Sequence, residues 1–299
     1  MELTRDHAEY TSRQQSRDDR SVRDRRMNRV ATGSIAPRLK SAGNVTQVRV
    51  ARSEWTKLRS LRSTRWSLLI ASVLTIGLPI LFATIIVTRA HPLQGHHHTP
   101  LEIAQAGVNI SQLAIAVLGV LLITGEYATG MIRATFTAVP KRLPVLWAKV
   151  AVYAVASFLL MLPCELIAFF ASQAILARKD VLQISFSHPG VARAVVSGAI
   201  YLTLVGMLAL AIGAIVRTTA GGIATFAAVF FVILPLLNVL PTNWNNAISP
   251  YLPESAGRST FSLTTDPHTL GPGPGLALFC GYTALAIALA ALLLTRRDA

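Results

Sequence analysis

The sequence predicts an all-α integral membrane protein with six transmembrane helices, and two observations carry that prediction. The 299 residues are 52% hydrophobic and only 14% charged, with a mean hydropathy of +0.50, where a soluble domain carries about a quarter charged residues. The apolar residues are also gathered into runs. A spanning helix needs about 20 mostly apolar residues, and six stretches qualify: 66–87, 101–123, 145–176, 194–216, 221–240 and 276–294. The third is long enough for a tilted span plus an interfacial extension. The second is interrupted by polar residues.

Residues 1–44 read differently. They hold ten Lys or Arg and six Asp or Glu, with few large apolar residues and no sustained periodicity. Such a segment buries too little surface to offset its ordering entropy and is expected to be a disordered basic tail, leaving 45–299 as the membrane domain. Met27 stands as an alternative start. No secretory signal is expected, because some 65 mostly polar residues precede the first apolar run and that run lacks a short h-region with a cleavage site. Arg25 and Arg26 stand too far from it for a twin-arginine signal.

The formal net charge of +14 does not point to nucleic acid, since the bases lie in the tail and beside the spans. Cys164 and Cys280 both fall inside apolar runs with no metal spacing and no disulfide framework, and read as small packing residues. Six spans place both termini on one side. Before the first span stand Arg49, Arg52, Lys57, Arg59, Arg62 and Arg65 against one acid, Glu54. Arg133, Lys141, Arg142, Arg217, Arg296 and Arg297 fall on the same side, against Arg89 and Arg258 on the other, with Arg178, Lys179 and Arg193 blurring the middle loop. The asymmetry puts both termini in the cytoplasm.

Two amphipathic stretches flank the spans on that side. In "VTQVRVARSEWTKLRSLRSTR", residues 45–65, Val48, Ala51, Trp55 and Leu58 keep helical spacing while Arg49, Arg52 and Arg59 project from a neighbouring sector. With Trp55 and Trp66 bracketing the basic run, the stretch is expected to lie in the membrane interface. In "GEYATGMIRATFTAVPKR", residues 125–142, Ala128, Met131, Ile132, Phe136 and Val139 share one helical face. Glu126 would sit in its first turn and Pro140 would stop it, with Lys141 and Arg142 at its negative end. Periodicity alone leaves open whether that face rests on lipid or in a protein groove.

"SEWTKLRSLRSTRW" before the first span, together with "GEYATGMIRATFTAVPKRLPVLWAK" between spans two and three, resembles the membrane subunit of type-2 ABC exporters, most closely their actinobacterial branch. The resemblance extends over residues ~45 to 299 in span count and order, with its specific support in these two stretches. It implies a coupling helix after span two that docks on a separate nucleotide-binding subunit, with Glu126, Tyr127, Gly130, Arg133, Pro140 and Arg142 at matched positions; Met131 and Phe136 of the apolar face and the basic Lys141 complete the expected coupling set. Lys141 stands where the family often has arginine. It also implies an interfacial connecting helix carrying Glu54, Trp55, Lys57 and Arg59. The chain's own lysines agree with a borrowed motor. They follow Leu39, Thr56, Pro140, Ala148 and Arg178, never glycine, so no P-loop cradles a nucleotide in this chain. No catalytic triad or paired carboxylates mark the chain as an enzyme. ATP and magnesium would belong to the partner ATPase, and a second permease copy or paralogue would complete the path, since six spans enclose little space.

Inside the spans, Glu102, Gln105, Asn109 and Gln112 fall at i, i+3, i+7 and i+10. This polar stripe faces either neighbouring helices or a solute route. Glu165, in "MLPCELIAFF", is the deepest acid, near Pro163, with no matching intramembrane base read in the sequence. It serves to carry a proton, to orient a solute or, as the favoured reading, to bond a neighbouring helix. Residues 241–275 are too long for a hairpin and, with Trp244, Ile248, Tyr251 and Leu252, suggest short interfacial or re-entrant helices; the exporter resemblance makes them an outer lid. The run from Gly271 to Gly275 reads as a linker. His91, His96, His97 and His98 in the first outer loop lack carboxylate or thiolate help and read as a solvated loop, not a metal site. The expected function is thus the permease half of an ATP-driven exporter in a bacterial plasma membrane. The alternatives are a proton-coupled secondary transporter using Glu165, and a membrane anchor or sensor that moves no solute.

Overall fold

The computed structural model describes residues 47–60, 62–88, 99–130, 142–179, 183–237, 239, 241–263 and 268–296. The predicted tail, the histidines at 91 and 96–98, and residues 131–141 of the predicted coupling helix lie outside them. Among the described residues every regular element is helical. In chain order these are α1 (Gln47–Ser60), α2 (Arg62–Thr88), α3 (Pro100–Ala104), α4 (Ala106–Ala128), α5 (Arg142–Leu176), α6 (Val191–Val216), α7 (Thr219–Ala227), α8 (Ile233–Leu237), α9 (Thr242–Ile248), α10 (Pro253–Ser259) and α11 (Pro272–Arg296).

Six helical stretches are long and apolar enough to cross a membrane: α2, α3 with α4, α5, α6, α7 through α8, and α11. All six predicted spans are therefore present, with somewhat longer helices at several ends. Their continuous backbone pairing is what hydrocarbon demands. By length and composition the chain is a multi-pass membrane protein.

Successive spans run in opposite directions. The start of α2, the end of α4, the start of α5 and the end of α6 gather at the end of the bundle that holds α1. The start of α4, the end of α5, the start of α6 and the start of α11 gather at the far end. At the centre, α4 and α6 are buried along most of their length and are the most extensively packed pair; α2, α7 and α11 keep most of their surface outward. The close crossing depends on small residues, as helix contacts in hydrocarbon do. A Cβ on Gly119 of α4 would overlap the Gly206 carbonyl of α6, and one on Gly206 would overlap the Tyr153 ring of α5.

Span two is interrupted at Gln105, between α3 and α4. Span five contains a π-helical turn at Ala228–Val232 between α7 and α8. Pro235 withdraws the N–H that Phe231 would accept from, and the wider turn accommodates the loss. Phe226 and Phe230 stack there with ring centroids 4.3 Å apart. The predicted linker at 271–275 is instead the first turn of α11, which begins at Pro272. Proline suits a first turn, where its missing N–H has no helical partner to lose. Gly275 seats that turn on α10, where a Cβ would collide with the Ser259 hydroxyl.

Candidate functional site

At the α1 end, three helices are joined by four buried or half-buried charges. Among the described side chains of α1 the buried ones are Val50, Glu54 and Leu58, a helical i, i+4, i+8 set. Trp55, predicted on the apolar face, points outward, as does Arg59. Glu54 faces the bundle, where its partner lies. Lys149 of α5, itself 2% exposed, donates to Glu54 Oε2 at 2.5 Å and to Glu126 Oε1 of α4 at 3.0 Å. Lys57 donates to Glu54 Oε1 at 2.7 Å and to the same Glu126 oxygen at 2.9 Å.

Two acids and two bases close a ring of zero formal charge. An unpaired ion here would forfeit several kcal/mol of hydration, and the ring returns that cost through four short charge-assisted bonds. Burial alone would lower the Lys57 pKa; the hydrogen bonds from Lys57 to Glu54 and Glu126, with the charges of both acids, outweigh it and hold that pKa above the ordinary lysine value.

Glu126 does not open a coupling helix. It occupies the last turn of α4, which runs on to Ala128. A carboxylate there faces the negative pole of the helix dipole, and the two lysine ammoniums offset it. Thr129 caps the helix and Gly130, at φ 67°, turns the chain away, a conformation natural to glycine. Tyr127, one residue on from Glu126, lies under the Arg217 guanidinium with 5.5 Å from its carbon to the ring centroid. The Thr219 hydroxyl donates to that of Thr124 at 2.8 Å. The end of α4 is thereby tied to α1, α5 and the α6–α7 turn. Met131, Arg133, Phe136, Pro140 and Lys141 lie outside the described residues, and Arg142 opens α5.

Sequence reasoning brought Glu54 and Lys57 forward with the interfacial stretch and Glu126 with the coupling stretch, and missed Lys149. The available signal was its position: a lone base inside the third apolar run calls for an acid nearby.

The polar stripe of span two divides by depth. Glu102 pairs with Thr99 in a capping box that starts α3. Gln105 sits at the break between α3 and α4, 4% exposed, with neither side-chain atom hydrogen-bonded. Asn109 has an equally unpartnered Oδ1. Gln112 packs instead. It accepts from the Tyr201 hydroxyl of α6 at 2.5 Å and donates to the Asn109 carbonyl at 3.0 Å. Tyr201→Phe should cost about 1 kcal/mol of thermal stability in detergent by stranding the Gln112 oxygen. An unchanged melting curve would show that this bond contributes nothing.

The stripe's upper part lines a cavity of about 740 Å³ between α2, the α3–α4 break and α10. Beside it, Arg193 at the start of α6 donates to the carbonyls of Thr260 and Ser262 at 2.9 and 3.0 Å. That arginine, which blurred the charge asymmetry, is occupied in clamping the loop after α10. The two short helices α9 and α10 stand where the sequence suggested them, and Tyr282 of α11 donates to the Tyr251 carbonyl at 2.6 Å.

Glu165 of α5 is 1% exposed, lies against Gly198 of α6, and has an Oε1 without a hydrogen-bond partner. It makes no ion pair among the described residues. Lys149, 16 residues earlier on the same helix, stands about 24 Å away at 1.5 Å of rise per residue, so the base the sequence reading passed over belongs to the other end. Among the described residues no group of three His, Cys, Asp or Glu is placed to hold a metal. The chain matches no protein-family model and no curated protein.

Proposed function

We propose that the chain is the permease subunit of a type-2 ABC exporter, forming with a second permease a path for a solute and driven by a separate ATPase that binds ATP and magnesium. In this reading it sits in a bacterial plasma membrane with both termini in the cytoplasm, and the α1 end is the cytoplasmic one. The supporting observation is the ring of Glu54, Lys57, Glu126 and Lys149. It makes α1 and the ends of α4 and α5 one rigid body at the base of residues 131–141, the segment assigned to coupling. A push on that segment then reaches spans two and three without being absorbed in a loose joint. Outward-facing Trp55, Arg52 and Arg59 suit α1 to the headgroup layer.

The test is Arg133→Glu, in the complex reconstituted with the partner ATPase. Arg133 is not one of the four ring residues, whereas Glu126 is. ATP-dependent export is expected to fall at least about tenfold, the effect of one lost charged contact in a docking surface, with the permease still folded. Undiminished export would refute the coupling role.

A second reading has its own observation. The isolated, buried carboxyl of Glu165 has the setting of a proton carrier. That reading requires the purified chain alone to move solute in liposomes under a pH gradient, and Glu165→Gln to abolish the movement.

A further inference from the structure

The far-end cavity, about 740 Å³, falls within the range of small-molecule sites, which combine apolar walls with a few polar groups that fix orientation. Phe82 and Ile86 of α2, Ile110 of α4 and Phe261 after α10 supply the apolar wall. Two charged side chains among the described residues share it. Glu102 is engaged, since its Oε2 accepts from the Thr99 backbone N–H at 3.2 Å in the capping box. Arg258 of α10 is held more loosely. Its side chain is 48% exposed, and it meets Glu254 Oε1 through one nitrogen at 3.5 Å.

Bonds between a guanidinium and a carboxylate run about 2.7–2.9 Å when well formed, so this one is weak. Glu254 is a poor competitor for a further reason. It is buried, and burial pushes its carboxyl above the ordinary value, with the Arg258 charge pulling the other way. A guanidinium has five N–H donors and pairs with a carboxylate through two of them at once; a single long contact leaves that capacity largely unspent. Ser255, three residues earlier on α10 and also on the wall, shares the face of Arg258. Arg193, clamped on the Thr260 and Ser262 carbonyls, adds a second positive charge beside the wall, where Ser262 also lies, and offsets Glu102.

We infer that this cavity binds an organic acid with an apolar body, its carboxylate paired with the Arg258 guanidinium beside Ser255 and its body against Phe82, Ile110 and Phe261. A neutral head forgoes the charge-assisted pair, and a cationic one meets Arg258 as a like charge. Binding needs neither a nucleotide nor a gradient, so it stands whichever transport reading holds.

The test uses the full chain alone in phosphatidylcholine nanodiscs, with 4-benzoylbenzoate, a photoreactive carboxylate with an apolar body. Saturable photolabelling is expected on the peptides containing Ile110 and Phe261. It should weaken at least tenfold, roughly the worth of one charge-assisted pair, when 4-benzoylbenzamide replaces the acid, and as much with Arg258→Gln. The double variant Arg258→Gln with Glu254→Gln should lose as much again relative to the parent, which separates the missing cation from an acid left unpaired on α10. Equal labelling by the amide, or labelling retained by either variant, overturns the assignment and leaves only unspecific partition of an apolar probe.

Discussion

Lys149→Met is expected to destabilise the protein by about 3–5 kcal/mol, the cost of breaking a buried pair from one side. The substitution keeps the length and apolar stem of the side chain. It strands Glu54 and Glu126, both buried, with Lys57 alone among the described residues to balance them. Thermal unfolding in detergent should show the loss, with α1 exposed to protease first. The double variant Lys149→Met with Glu54→Gln should recover much of it, because one acid and one base remain and the ring is neutral again. A single variant that melts within 1 kcal/mol of the parent, below the range for a broken buried pair, would mean that the four groups are more hydrated than their geometry implies.

Gly206→Val should cost about 3 kcal/mol through overpacking. The new side chain falls on the ring of Tyr153, which is fully buried and donates its hydroxyl to the Ile115 carbonyl of α4 at 2.9 Å. Three helices meet there, so no neighbour can yield without moving a second. Adding Tyr153→Leu to the same chain should return part of the loss, and that non-additivity identifies the collision as the cause. If the two changes add as independent sites do, the Gly206 effect arises elsewhere.

The spans were legible because hydrocarbon imposes a long, uniform signal on sequence. Helix ends were less so. Glu126 was placed in a following helix because its acid matched a first-turn preference, and the competing fact, two lysines waiting for it on α1 and α5, is a tertiary one. Periodicity grouped Trp55 with Val48, Ala51 and Leu58 on one apolar face, and it could not foresee that the inward side of the helix would be set by the Glu54 carboxylate. The linker at 271–275 shows the same limit, since glycine and proline also open a helix. In the polar stripe, spacing predicted the shared face but not that Gln112 would find Tyr201 while Gln105 would find nothing.

The described bases that remain outward on α1 and the first turns of α2 are all arginines: Arg52, Arg59, Arg62 and Arg65. The nearby lysines are consumed by carboxylates. A guanidinium presents a planar fork of N–H donors that can grip one phosphate through two of them. If this end meets anionic headgroups, as the proposed orientation has it, its hold rests on guanidiniums alone and concentrated salt should loosen it.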